Sequence, residues 1–202
     1  MGDVDDLERG VEVLLARWRM VAAQHPERGV VPSVDPAGGG LGARLLVLME
    51  QPAPVTAAMG AEAVCGEDGP SSSVRFFVSC REQSGLSRTD YLRWNVIPWA
   101  RAHAPDEAAP PSARRPPGRA ELDDAREGLH ELLTAMVELR AVVALGSVPL
   151  EALMRYFTLH PRPVLRPVLA ALHPSPANGR HRREQRERIV NALRRAGELG
   201  GL

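Results

Sequence analysis

Two short polar motifs follow apolar runs of the chain, and their side chains suit the same chemistry. Residues 49–54 (MEQPAP) come after the apolar residues 45–48, and residues 173–176 (HPSP) come after the apolar residues 168–172. In open parallel sheets, the groups just beyond the carboxyl ends of the strands line the ligand crevice. We therefore expect a carboxylate or amide from the first motif and an imidazole from the second to face one ligand.

The first motif could hold and activate a water molecule. Glu50 offers a carboxylate that can orient or deprotonate water, and Pro52 and Pro54 keep the segment rigid. The alternative is structural, with Glu50 capping a nearby helix and Gln51 facing solvent. Taken alone, this motif favours the structural alternative.

Asn95 is an amide in the otherwise apolar stretch that ends at Pro98 and Trp99. Its donor and acceptor lie side by side and complement the Watson–Crick edge of a pyrimidine, or any cis-amide. A buried amide without a partner is unfavourable, so Asn95 must pair with a ligand or with the backbone. The sequence leaves both possibilities open.

The second motif places His173 at a corner that two prolines stiffen. An imidazole there can donate a hydrogen bond to an oxygen that gains negative charge. Ser175, together with neighbouring backbone N–H groups, could hold a phosphate. Because His-Pro pairs are common in turns, the specificity comes from the whole tetrapeptide after a strand.

A basic segment follows the second motif, and residues 179–195 contain seven Arg and two Glu. The candidates for phosphate contacts are Asn178, Arg180, Arg182 and Arg183. Phosphate contacts suit this position because a helix N-terminus attracts anions. The alternative is a solvated helix face with internal pairs such as Glu184 with Arg188.

Hydrophobic periodicity predicts helices that alternate with strands. The predicted helices are residues 5–24, 71–83, 121–139, one opening at Gly146 and Ser147, and 179–197. The predicted strands are residues 43–49, 91–97, 141–145 and 168–172. This alternation predicts a parallel α/β sandwich with about four central strands. Residues 101–119, rich in Pro, Ala and Arg, are predicted to be a mobile surface loop.

Length and charge exclude several classes of function. The 202 residues suffice for one well-buried domain, with residues 1–42 forming a helix and a Gly/Pro-rich connection packed on residues 43–202. The net charge is zero, so a nucleic-acid partner requires a local basic surface. All 25 basic residues are Arg, and the lack of Lys excludes a Lys Schiff base.

Cysteine content and the first residues predict the compartment. Cys65 and Cys80 are too few for a four-thiolate iron–sulfur cluster or tetrathiolate zinc site. We expect two free thiols in a reducing cytosol. The acidic first residues are unlike a signal peptide, and no run is long enough to span a membrane, so we predict a cytoplasmic protein.

Taken in chain order, residues 50–52, 94–96, 141–146 and 173–176 resemble the uracil-DNA glycosylase superfamily. The similarity extends over residues 44–195, and the Asn-bearing strand together with His-Pro-Ser-Pro carries most of its specificity. The resemblance implies a three-layer α/β/α sandwich around a short parallel sheet. This fold agrees with the alternation of helices and strands.

The resemblance also implies roles for individual residues. A uracil would be flipped out of DNA into the crevice, where Asn95 matches the amide that reads the base. His173 matches the histidine that stabilises charge on the departing uracil. Ser175 would contact a DNA phosphate, and residues 177–180 would wedge into the minor groove. Glu50 matches the glutamate that assists the attacking water in the iron–sulfur branch of the family.

Three features depart from the family pattern. Gln51 stands where the best-known members have an aspartate that handles the water, and Ala53 stands where a tyrosine or glycine is usual. The cluster cysteines are missing, which indicates a branch without the iron–sulfur cluster. The aromatic residue that should stack on the base is unassigned, because Phe76 and Phe77 fall in a predicted helix and are expected in the core.

These residues predict a base-excision repair enzyme that hydrolyses the N-glycosidic bond of uracil or another deaminated base in DNA. Glu50, Gln51 and His173 would be catalytic, and the lack of Lys predicts a monofunctional enzyme without a lyase step. We expect a monomer that binds DNA and needs no cofactor. The alternatives are a catalytically weak or inactive member that binds DNA or a nucleobase, and a hydrolase of free nucleosides or other small molecules.

Overall fold

The computed structural model describes residues 2–100, 117–175 and 182–202. Most of the predicted loop at 101–119 lies outside the described residues. The helices are α1 (Gly2–Ala23), α2 (Pro54–Ala57), α3 (Ser72–Ser84), α4 (Arg119–Ala135), α5 (Ser147–Leu159) and α6 (Arg182–Gly200). The strands are β1 (Ser33–Val34), β2 (Leu45–Met49), β3 (Val64–Cys65), β4 (Tyr91–Asn95), β5 (Ala141–Leu145) and β6 (Val168–Ala171).

The central sheet has four parallel strands in the order β4-β2-β5-β6. The connection that follows β2 leads to β4 at one edge of the sheet, whereas the connection that follows β5 leads to β6 at the opposite edge. Such a reversal opens a crevice outside the carboxyl ends of the strands. The predicted parallel sheet of about four strands is therefore confirmed.

Every residue of β2, β4 and β5 is buried, because helices cover both faces of the sheet. The even-numbered side chains of β2, such as Leu46, pack with α1, α4 and α5. The odd-numbered ones, such as Val47, pack with α3 and α6. Burying one such side chain stabilises the fold by roughly 1.5–3 kcal/mol. The fold is the expected three-layer α/β/α sandwich.

Helix α1 extends the first layer of the sandwich. The ring of its Trp18 stacks on that of Trp94 with centroids 5.1 Å apart. Gly128 of α4 makes room for this stack, since a Cβ atom there would lie 2.6 Å from Nε1 of Trp18. The division of the chain at residue 42 stays a prediction.

Several element boundaries differ from the predicted ones. The helix predicted over 121–139 is α4, which begins at Arg119 and ends at Ala135 because Met136 leaves the helical conformation. The strand predicted over 91–97 ends at Asn95, although Val96 and Ile97 still donate hydrogen bonds to Met49 and Glu50. The small parallel pair of β1 and β3 is absent from the predictions, because two-residue strands leave no periodicity.

Candidate active site

A pocket lies at the carboxyl ends of β2, β3 and β4. Its cavity volume is about 70 Å³, which is space for on the order of five water molecules. Five of its lining residues matter chemically: Gln51, Cys65, Arg93, Asn95 and His173. The pocket therefore brings together groups from four separated segments of the chain.

Strand register places the first motif beside Asn95. Met49 pairs with Asn95 in the parallel ladder, and the carbonyl of Glu50 accepts a hydrogen bond of 3.0 Å from Ile97. Gln51 is 8% exposed and lines the pocket. Glu50 is half-buried, and it is not among the described residues that line the cavity. The segment after Gln51 turns directly into α2, whose first residue is Pro54.

Asn95 is 6% exposed, and its Nδ2 donates to Sγ of Cys65 over 3.4 Å. Burial raises the pKa of the Cys65 thiol, although the positive charge of Arg93 acts in the opposite direction. The sulfur therefore stays a neutral thiol at physiological pH. The contact uses one of the two N–H groups of the amide and orients its plane.

His173 is positioned from two sides. The fully buried Gln185 of α6 donates from Nε2 to the carbonyl of His173 over 2.5 Å and to that of Ser175 over 3.3 Å. On the other side lies Gly146, which follows β5 with a φ of 112°. A Cβ atom at Gly146 would lie 3.2 Å from Cβ of His173. Glycine is therefore required here by both its backbone conformation and the close approach of the histidine.

Arg93 and Gln185 are residues that the sequence interpretation missed. A charged residue at position 93 of a buried strand was an available signal, because charges are rarely buried without a role. Gln185 shares the apolar stripe of α6 with Ile189, Leu193 and Ala196. A polar residue on such a stripe also marks a specific hydrogen-bonding function.

The predicted DNA-contacting residues are only partly described. Asn178 and Arg180 lie outside the described residues. Ser175 is half-buried, and its backbone N–H donates to the carbonyl of His173 over 2.7 Å. The guanidinium of Arg182 lies 4.4 Å from the ring centroid of Phe76. These positions put the start of α6 close to the turn that carries His173.

Part of the positive charge on α6 is neutralised within the helix. Arg183 is highly exposed and pairs with Glu187 over 3.0 Å. The predicted pair of Glu184 and Arg188 is confirmed at 3.5 Å. Such exposed pairs contribute little stability, so the Arg side chains can exchange these partners for phosphates.

The two phenylalanines of α3 belong to the core, as expected. Phe76 and Phe77 are buried in the layer between α3, α6 and the sheet. Among the described residues that line the pocket, none is Phe, Tyr or Trp. Neither Phe76 nor Phe77 therefore lines the pocket.

A second cluster of polar side chains lies on α4 and at the end of α5. Ligand atoms of Glu127, His130 and His160 lie within 4.8 Å of one another. Nδ1 of His130 is 2.9 Å from the Tyr156 hydroxyl, and Nδ1 of His160 accepts a hydrogen bond from the backbone of Arg162. The two imidazoles stack with centroids 4.0 Å apart. These contacts join α4 to α5, so the cluster stabilises helix packing.

Within the described part of the chain, no helix is both long enough and apolar enough to cross a bilayer. Both cysteines are buried and free.

Comparison with known proteins gives a family match over most of the chain. The model of the uracil DNA glycosylase superfamily matches residues 36–195. No curated protein matches the chain significantly. The matched range includes every strand of the central sheet and all five pocket residues singled out above. The chain belongs to the uracil-DNA glycosylase superfamily, a DNA-glycosylase-like family that acts on DNA.

Proposed function

We propose that this protein is a monofunctional DNA glycosylase that hydrolyses the N-glycosidic bond of uracil or another deaminated base during base-excision repair. The observation that carries the proposal is that Gln51, Asn95 and His173, from three separated segments, line one pocket. Membership of the superfamily makes a flipped nucleotide the natural occupant of that pocket. We further propose that it acts as a cytoplasmic monomer without a cofactor.

In this mechanism the base enters the pocket and Asn95 reads its amide edge. The bond between C1′ of the sugar and the base nitrogen breaks, and its electron pair stays on the base. An N–H of His173 donates to the base oxygen on which the negative charge accumulates. Gln51 holds a water whose oxygen bonds to C1′, and the carboxylate of the neighbouring Glu50 takes the proton that this water loses.

The remaining roles concern the DNA backbone. Ser175, Asn178, Arg180, Arg182 and Arg183 would contact phosphates on either side of the flipped nucleotide. The chain has no Lys, so the proposal includes no lyase step through a Lys amine.

The test is release of base from single- and double-stranded oligonucleotides that carry one uracil, hypoxanthine or xanthine. We expect an abasic product that breaks only after alkali. His173→Ala and Asn95→Ala should each lower the single-turnover rate by about 10²-fold or more. His25→Ala, at a half-buried position outside the pocket, and Asn191→Ala, at an exposed position of α6, make the same changes and serve as controls. Wild-type rates in both pocket variants would contradict the mechanism.

A second candidate function is a binding protein that keeps the pocket and lacks the chemistry. Gln51 favours it, because an amide does not accept a proton from water at neutral pH. A gel shift with uracil-containing and abasic DNA tests this possibility. Preferential, salt-dependent binding without any base release would identify the binding protein, whereas base release would exclude it.

A further inference from the structure

Arg93 is a charged residue in the pocket wall that the mechanism above does not use. It lies in β4 on the same face as Asn95 and is 8% exposed. Its Nη2 donates to the carbonyl of Gly66. Its Nε has no hydrogen-bond partner among the described residues. That nitrogen is fully buried, whereas Nη1 makes no hydrogen bond within the described residues and is not among their buried unpaired atoms, so the N–H groups of Nη1 are the ones available at the wall of the pocket.

Two carboxylates of this region pair with other arginines. Asp35 pairs with Arg88 over 2.8 Å, and Glu67 pairs with Arg81 over 2.7 Å. Among the described residues, the salt bridges of this region join carboxylates to Arg81 and Arg88 and none to Arg93. A buried cation without a carboxylate partner is unfavourable for folding. Buried groups of this kind are typical of sites in which a ligand supplies the missing acceptor.

A guanidinium has five N–H donors and no acceptor, and it does not lose its proton in proteins. The wall formed by Arg93 can therefore pair only with acceptor atoms of a ligand. Deamination of a nucleobase replaces an exocyclic amine, which donates, by a carbonyl, which accepts. A donor-only wall consequently distinguishes a deaminated base from its parent.

We propose that Arg93 is a specificity-determining residue that selects bases carrying a carbonyl in place of an exocyclic amine. This inference rests on the proposed function of the pocket. Asn95 carries both a donor and an acceptor, whereas Arg93 carries only donors. Cytosine would direct its amine at a group that only donates, and uracil would present an oxygen. Such a polar mismatch discriminates against cytosine more strongly than a purely apolar pocket does.

The experiment compares binding of two oligonucleotides that carry 2′-fluorinated, hydrolysis-resistant uridine or cytidine at one position. We expect wild-type protein to prefer uracil, and Arg93→Met to reduce the ratio of the two Kd values at least about tenfold. Arg93→Gln should act in the same direction, since its amide offers both a donor and an acceptor. Arg75→Met makes the same change at an exposed position of α3 and should keep the wild-type ratio.

The melting temperature of the Arg93→Met variant shows whether Arg93 is needed for stability or for base specificity. Methionine has a long apolar side chain, and replacing a buried charge by such a group is often neutral or stabilising. Arg93→Met should therefore keep or raise the melting temperature. A lower melting temperature with an unchanged Kd ratio would show a structural arginine and overturn the inference. If the wild-type protein neither excises uracil nor prefers it to cytosine, the proposed function itself fails.

Discussion

In the proposed mechanism, Gln51 is the pocket residue that holds the attacking water. Its side chain is buried beside Asn95 and His173. An amide can orient water through its donor and its acceptor, but it cannot take the proton that the attack releases. Proton removal would then depend on Glu50, which is half-buried and lies in the chain between Met49 and Gln51, two residues that line the cavity.

Gln51→Glu tests this division of roles. The substitution changes only an amide into a carboxylate, so we expect the single-turnover rate near neutral pH to rise about tenfold or more. The rate should fall again at low pH as the new carboxylate becomes protonated. Gln83→Glu, at an exposed position of α3, is the matched control. An unchanged rate and pH profile would mean that residue 51 does not contact the water.

Helix α6 positions the turn that carries His173. Gln185 is fully buried and donates to two carbonyls of that turn, those of His173 and Ser175. Helix α6 in turn packs on α3 and against the sheet. The helix thereby couples the core of the protein to the position of the imidazole.

Gln185→Leu should remove the side-chain hydrogen bonds that hold the turn of His173 and Ser175 in place. Leucine fills similar space but leaves both carbonyls without their donor, which costs roughly 1–3 kcal/mol of stability. We expect excision to slow at least about tenfold, at temperatures where the variant is still folded. Gln83→Leu is an exposed control with the same change of side chain. Lower stability with a wild-type excision rate would show that Gln185 does not position His173.

Glu67 joins several parts of the whole molecule. It lies after β3 and accepts hydrogen bonds from Arg81 of α3 and from Tyr91 of β4. Burial acts to raise its pKa, but the hydrogen bonds from Arg81 and Tyr91 outweigh burial and hold the pKa below 4.5. The ionised carboxylate therefore stabilises the folded state.

The sign of this shift predicts how stability depends on pH. The contribution of Glu67 is fully present above a pH of about 4.5 and is lost as the pH falls through its lowered pKa. Glu67→Gln should be less stable than wild type near pH 7, and the difference should shrink below about pH 4. Urea denaturation across this range measures it, with the exposed Glu62→Gln as control. A difference that grows toward acidic pH would contradict the prediction.

Because the net charge of the molecule is zero, we expect attraction to DNA to depend on the local basic surface at the start of α6. We expect Arg182→Gln and Arg183→Gln each to make the slope of log affinity against log salt shallower by about 1. Arg162→Gln, at an exposed position after α5, should leave the slope unchanged. Equal slopes in all proteins would place the DNA on another surface.

The sequence by itself determined the fold class and the family of this protein. Strand β5 coincides with the predicted strand 141–145. A strand of a parallel sheet that is covered on both faces is a short, continuous apolar run, and residues 141–145 have this pattern. The alternation of strands with amphipathic helices then defined the sandwich. Asn95 and His173 were recognisable because a polar residue next to a buried strand needs a partner.

Only the tertiary structure decided which groups share the pocket. Cys65 comes from a strand that is too short to predict. The lack of a carboxylate partner for Arg93 is visible only in the structure, where Asp35 and Glu67 pair with other arginines. Gln185 reaches the turn of His173 from a helix that begins after it in the chain. Periodicity reports burial along one segment, whereas these contacts depend on strand register and helix packing between distant segments, which no local pattern encodes.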